Sequence, residues 1–167
     1  LPVGTYTVTY NRSSPVATAL TASMTITSAG TGTFVATGLT TLGTSTITVT
    51  KIESALCSSL ITTSNTTTIT INSPIVISSQ PISASLCLGG NATFNITTTG
   101  TLPTFQWQVS VTGIGGVYSN IVNSSIYAGV NTSALNLTAP PLGFVSNFYR
   151  VAVIGTCSSV ISNSISL

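Results

Sequence analysis

The stretches Thr46-Ile47-Thr48-Val49-Thr50 and Phe105-Gln106-Trp107-Gln108-Val109-Ser110 decide the fold of this chain. In both, apolar and polar residues alternate one for one. Successive side chains of an extended strand point to opposite faces, so each run places its apolar members on one side and its polar members on the other. The same period recurs outward from these two points. Tyr6, Val8 and Tyr10 alternate with threonines, as do Leu20, Ala22, Met24 and Ile26 with Thr21, Ser23 and Thr25, and Ile69 and Ile71 with Thr68 and Thr70. Threonine suits the wet face, because its branched Cβ favours extended backbone while its hydroxyl stays in water. Later inward sets are Phe94 with Ile96, Leu135 with Leu137, Tyr149 with Val151 and Val153, and Ile161 with Ile165 and Leu167.

Gly89-Gly90, Gly115-Gly116, Pro140-Pro141 and clusters of Asn and Ser punctuate these runs as turns. No stretch has helical periodicity. Short strands with a turn signal every ten residues or so predict an all-β protein of sandwich type. Pro74 cannot donate to a strand ladder, so Asn72-Ser73-Pro74 marks the boundary between a domain over residues 1–73 and another over 74–167. An internal repeat supports the division. Cys57-Ser58-Ser59-Leu60-Ile61 followed by Thr68-Ile69-Thr70-Ile71 matches Cys157-Ser158-Ser159-Val160-Ile161 followed by Ser164-Ile165-Ser166-Leu167.

Composition narrows the chemistry. Hydrophobic residues make up 43% of the 167, enough for packed cores, yet Lys and Arg total 3, Asp and Glu total 1, and there is no His. Arg12, Lys51, Glu53 and Arg150 are the charged side chains, and a net charge of +2 offers neither a phosphate-neutralising surface for nucleic acid nor a polybasic membrane contact. Thr, Ser or Asn interrupts every apolar run, so no membrane span is expected. Without His, and with Glu53 as the sole carboxylate side chain, neither nucleophile–base arrangements nor acid–base carboxylate pairs can be built. No enzyme, no metal site and no cofactor are expected. Gly113-Ile114-Gly115-Gly116 lies between strands with no helix to receive a phosphate, and reads as a hairpin turn. Sequons at Asn11, Asn65, Asn91, Asn95, Asn123, Asn131 and Asn136 follow from the Asn/Ser/Thr-rich composition. Lys51 and Glu53, two apart on one strand face, are expected to form a surface pair. Arg150 should point outward, into solvent or onto an aromatic ring. Tyr118 and Tyr127, in the stretch after the tryptophan strand, are candidates either for a sugar-stacking surface or for packing at the sandwich edge.

The order Cys87, Trp107, Tyr149, Cys157 resembles the Cys, Trp, Cys arrangement of immunoglobulin domains, with Trp107 and Tyr149 as core markers. That resemblance implies a Cys87–Cys157 disulfide, which would close a loop of about 70 residues and stabilise the domain by roughly 4 kcal/mol. Two buried free thiols are the alternative. If Cys57 corresponds to Cys157, its partner would fall about thirteen residues before Leu1. Domain one would then be a repeat lacking its first strand. An intermolecular bridge or a free buried thiol are the other readings of Cys57.

More specifically, Cys87-Leu88-Gly89-Gly90-Asn91-Ala92-Thr93-Phe94, Phe105 to Ser110, Tyr127-Ala128-Gly129, Leu135-Asn136-Leu137 and Phe148-Tyr149-Arg150-Val151 resemble the immunoglobulin-like repeats of very large surface adhesins of Bacteroidetes, including those of gliding flavobacteria. Gly4-Thr5-Tyr6-Thr7-Val8-Thr9-Tyr10 and the run from Ile52 to Cys57 look like a companion repeat. The resemblance implies two tandem immunoglobulin-like sandwiches, export by the type IX route, attachment at the outer cell surface through other parts of the protein, and neighbouring repeats of the same chain as partners. A spacer or stalk module is the expected role. The rivals are a filament or sheath subunit that self-associates through edge strands, and a module that binds surface polysaccharide through Tyr118 and Tyr127.

Overall fold

The computed structural model describes residues 1–167 and is all-β apart from one short 3-10 turn. Contacts divide the chain into two compact units, Leu1–Ile71 and Asn72–Leu167. Ser73 belongs with the second unit, where its N–H donates to Thr101 Oγ1 and its carbonyl accepts from Thr101 N–H. No helix is long and apolar enough to cross a membrane.

The second unit contains β7 (Val76–Ser79), β8 (Asn91–Asn95), β9 (Thr97–Thr99), β10 (Thr104–Ser110), β11 (Ser119–Asn120), β12 (Tyr127–Ala128), β13 (Ala134–Thr138), the 3-10 turn Leu142–Ser146, β14 (Phe148–Ile154), β15 (Ser159–Ile161) and β16 (Ile165–Ser166). One sheet runs β11-β10-β14-β15, with β16 sharing β15's edge of β14 at its Phe148 end; a second runs β12-β13-β8, and β7 pairs β9. In immunoglobulin terms these are the C′-C-F-G and D-E-B arrays, so this unit is an immunoglobulin-like sandwich by its own topology. Trp107 on β10 and Tyr149 and Val151 on β14 pack from one sheet, and Phe94, Leu135 and Leu137 from the other, each with its side chain essentially removed from water. The ring of Phe94 lies 6.4 Å from that of Trp107 and 5.4 Å from that of Tyr149. Trp107 satisfies its indole N–H on the Thr132 carbonyl at 3.0 Å, which lets so large a polar-tipped ring be buried without penalty. At the far end, Gly155 and Gly100 close around Ile75; a Cβ on Gly155 would stand 2.4 Å from Ile75 Cγ1.

The first unit contains β1 (Gly4–Ser13), β2 (Val16–Ser28), β3 (Thr31–Thr33), β4 (Gly43–Glu53), β5 (Ser58–Leu60) and β6 (Thr66–Ile71), all in one antiparallel sheet. The order is β3-β2-β1-β4-β5, with β6 also on β4. This is the C′-C-F-G array again. Here β1 stands for β10 and β4 for β14, and the G position is once more split in two, β5 taking Lys51 to Glu53 and β6 taking Gly43 to Thr48. Thr9 opposite Lys51 and Lys51 opposite Leu60 repeat Gln106 opposite Ala152 and Ala152 opposite Ile161. Tyr10 occupies the place of Trp107. It is fully buried, its ring lies 5.3 Å from that of Phe34, and its hydroxyl accepts from Thr37 N–H.

The pairing corrects the tail alignment read from sequence. Lys51 and Leu60 correspond to Ala152 and Ile161, an offset of 101 rather than the 100 that superposes Cys57 on Cys157. One residue of slip exchanges the faces of a strand. Val160, opposite Val153, therefore packs on the core, while Ile161, expected inward, is largely exposed.

Truncating the second core should be costly and specific. Phe94→Ala is expected to destabilise this unit by about 3–5 kcal/mol and the exposed Leu56→Ser in the first unit by less than about 0.5 kcal/mol. Urea unfolding followed by fluorescence of Trp107, the single tryptophan, reads the second unit alone.

Candidate functional site

Each side chain singled out from sequence has a definite place, and the structure does not gather them into one cleft. The cysteines depart most from expectation. Cys57, Cys87 and Cys157 are all free and all exposed, so they form neither the Cys87–Cys157 bridge nor buried thiols. The reason is the length of β14. Cys87 lies in the turn before β8, beside Pro140, Pro141, Leu142 and Val145, which lead into the Phe148 end of that strand. Cys157 lies in the turn beyond its Ile154 end, with Sγ 3.6 Å from the Asn72 carbonyl. A seven-residue strand spans about 20 Å at roughly 3.3 Å per residue, whereas a disulfide needs Cα atoms within about 7 Å. Placing the second cysteine past the strand end, instead of two residues after the tyrosine, removes it from reach. Cys57 occupies the corresponding turn of the first unit, where its N–H donates to Ser54 Oγ at 3.2 Å.

Tyr118 and Tyr127 are not brought together. Tyr118 follows the Gly113 turn, in which Gly116 N–H donates to the Gly113 carbonyl at 3.0 Å. Its hydroxyl donates to Ser164 Oγ at 2.7 Å, and the Arg150 guanidinium covers its ring at 3.9 Å from the centroid. Arg150 is held there by Nε donating to Gln108 Oε1 at 2.9 Å, on the outward face of β10 and β14. Tyr127 belongs to the other side of that sheet. Its ring stacks on Phe144 at 5.9 Å and meets Tyr149 edge-on at 6.2 Å, with the two hydroxyls 3.3 Å apart. Both rings are thus engaged with protein partners, Tyr118 under a cation and Tyr127 in an aromatic cluster.

That cluster was not read from the sequence. Burial raises the Tyr127 phenol well above its usual value, and the neighbouring Tyr149 raises it further while Asn147 opposes the shift. Burial likewise raises Tyr149, against hydrogen bonds from Tyr127 and Asn147 that lower it. Pro141, which cannot extend a strand, and the turn Leu142–Ser146 carry Phe144 over the cluster. The Pro140-Pro141 pair was legible as punctuation; the aromatic stack it delivers depends on the turn geometry.

The remaining charged groups are paired or anchored. Lys51 Nζ and Glu53 Oε2 form the expected surface pair at 2.7 Å, both about one-third exposed. Arg12 bonds the carbonyls of Pro15 and Thr37 and so ties the β1–β2 turn to the segment after β3. No group of three or more His, Cys, Asp or Glu side chains forms a cluster that could hold a metal ion.

No family model matches the chain, and no curated protein matches it. Among solved structures, it is similar to a chimeric titin Z1Z2-Z1Z2 tandem functionalised with an exogenous GRGDS peptide from fibronectin, at 14% identity and a TM-score of 0.43. The similarity covers 74% of this chain and 62% of that one, so the chain spans less than two thirds of the structure it matches.

Native-state titration with a thiol reagent should count three reactive cysteines, and Cys87→Ser with Cys157→Ser should change the stability of the second unit by less than about 0.5 kcal/mol; a loss near 4 kcal/mol would mean a bridge. Because the folded phenols of Tyr127 and Tyr149 ionise at higher pH than unfolded ones, their contribution is complete below about pH 10 and is lost as pH rises above it. The urea midpoint of the second unit should therefore fall above pH 10, and Tyr127→Phe should flatten that fall.

Proposed function

We propose that this chain is a spacer or stalk module of a long cell-surface protein, in which tandem β units hold a binding element away from the cell. The observation that carries this reading is the repetition itself. One C′-C-F-G array is built twice, with C–F and F–G pairings in matching positions, as in a tandem array. Such a module needs compact strands in series and no active site. Outside the three exposed thiols, charged and phenolic side chains are committed to protein partners here, Lys51 to Glu53, Arg150 to Gln108 and Tyr118, and Tyr127 to Tyr149. The finer assignment is to the surface adhesin repeats of gliding flavobacteria, exported by the type IX route and attached to the outer surface. It rests on the sequence resemblance.

A second reading, lateral assembly into a filament or sheath, draws on β2. Its outer edge is paired by β3 only at Thr25 and Ser28, and residues 16–24 leave a long edge without a charged side chain to guard it.

Pulling the chain between its ends distinguishes a stalk. The second unit, 96 residues from 72 to 167, should yield in one resolvable force event that lengthens the chain by about 300 Å, the reach of that many residues at roughly 3.3–3.6 Å each less the folded span. Gradual extension without such an event counts against the stalk. Sedimentation that rises steeply with concentration favours the filament.

A further inference from the structure

The repeated sheet is covered differently in the two units. In the second, Val151 and Val153 of β14 are 0% exposed, because the layer holding Phe94, Leu135 and Leu137 packs on that face. Their counterparts in the first, Val49 and Ile52 of β4, are only half-buried. Along them runs a groove of about 310 Å³ with Phe34 and Ile61 among its walls. A second recess of about 200 Å³, beside Tyr6 and Leu1, shares Ile52 and Ile61 with it.

Phe34 begins a segment, residues 34–37, in which Phe34 and Ala36 are half-buried and Val35 and Thr37 exposed. That is the alternation of a strand. The segment belongs to no ladder, although it runs between β3 and β4, where the second unit carries β12 and β13 between its C′ and F strands. In the second unit β13 has a partner, β8, whose Ala92 and Phe94 point into the core. In the first unit Thr37 is bonded to the Tyr10 hydroxyl and the Arg12 guanidinium, but no strand pairs with residues 34–36, and the groove lies beside them.

We propose that this groove receives one β-strand, contributed by polypeptide outside residues 1–167. The strand pairs with residues 34–36 and covers Val49 and Ile52 as Phe94 covers its own sheet. Its chemistry is that of Asn91–Asn95 with Ile96, an uncharged run with small and aromatic apolar side chains at alternate positions. The groove walls contain no charged residue, and Lys51 and Glu53 alternate with Ile52 and so project from the opposite face, where they pair with each other; a charged strand would find no counter-ion. Strand addition supplies main-chain hydrogen bonds for affinity and side-chain pockets for selectivity. The inference stands independently of the stalk reading.

The test is titration of the isotope-labelled 167-residue chain with the peptide Gly-Asn-Ala-Thr-Phe-Asn-Ile-Thr, the sequence of residues 90–97. Saturable NMR shifts are expected at the amides of residues 34–36, Val49 and Ile52, with the second unit unperturbed. Asp in place of the peptide's Phe should weaken binding about tenfold or more. Ile52→Lys should abolish the response; where it unfolds the first unit, Ile61→Lys at the rim carries the same test. No saturation at millimolar peptide, equal binding of the Asp peptide, shifts confined to the second unit, or a free chain that sediments as a dimer with these amides already protected would each overturn the proposal.

Discussion

The contact of Phe94 with Trp107 and Tyr149 is the interaction on which the second unit depends. Three aromatic rings from facing sheets meet in a chain that has almost no charge to orient its surface, so burial of apolar area must distinguish inside from outside. Everything around the trio preserves that contact. The Thr132 carbonyl satisfies the indole, Tyr127 satisfies the phenol of Tyr149, and Ser162 Oγ accepts the Val151 N–H where β15 and β16 part. A buried polar group without a partner would cost a large share of a small domain's stability, and no buried side-chain nitrogen or oxygen lacks one.

The first unit solves the same problem with less material. Tyr10 replaces the tryptophan and stacks on Phe34 rather than on an opposing strand. Residues 34–42 act as a strap held by Tyr10 and Arg12, where the second unit has a three-stranded layer. Phe34 of the strap packs on the buried Val8, Met24 and Ile26, while the far half of the sheet, at Val49 and Ile52, stays partly wet. One sheet pattern thus appears once as half of a sandwich and once under a strap. The two units therefore differ in how much of the same sheet face is shielded from water.

What the sequence made legible was the periodic part. Alternation identified β1, β2, β4, β10 and β14 and named Trp107 and Tyr149 as core, because those runs are long enough for one face to win clearly. Features set by where strands end, and by register, were not legible. Cys87 and Cys157 have immunoglobulin-like order, yet whether two cysteines meet depends on whether they sit within a strand or past its tip. Ile161 and Val160 exchanged roles because neighbouring aliphatic residues look alike until the partner strand fixes the register. Tyr127 was visible as an aromatic residue near a turn, but its stack on Phe144 depends on the 3-10 turn Leu142–Ser146, five residues with no periodicity of their own.

Native-state hydrogen exchange tests most directly the claim that one sheet is built twice and fully covered once. The amides of Val151 and Val153 in β14 should exchange only through global opening of their unit, whereas those of Val49 and Ile52 in β4 should exchange through smaller local openings, about a hundredfold faster or more. Equal protection at the two pairs would contradict the account, because it would mean that the first sheet is as well covered as the second.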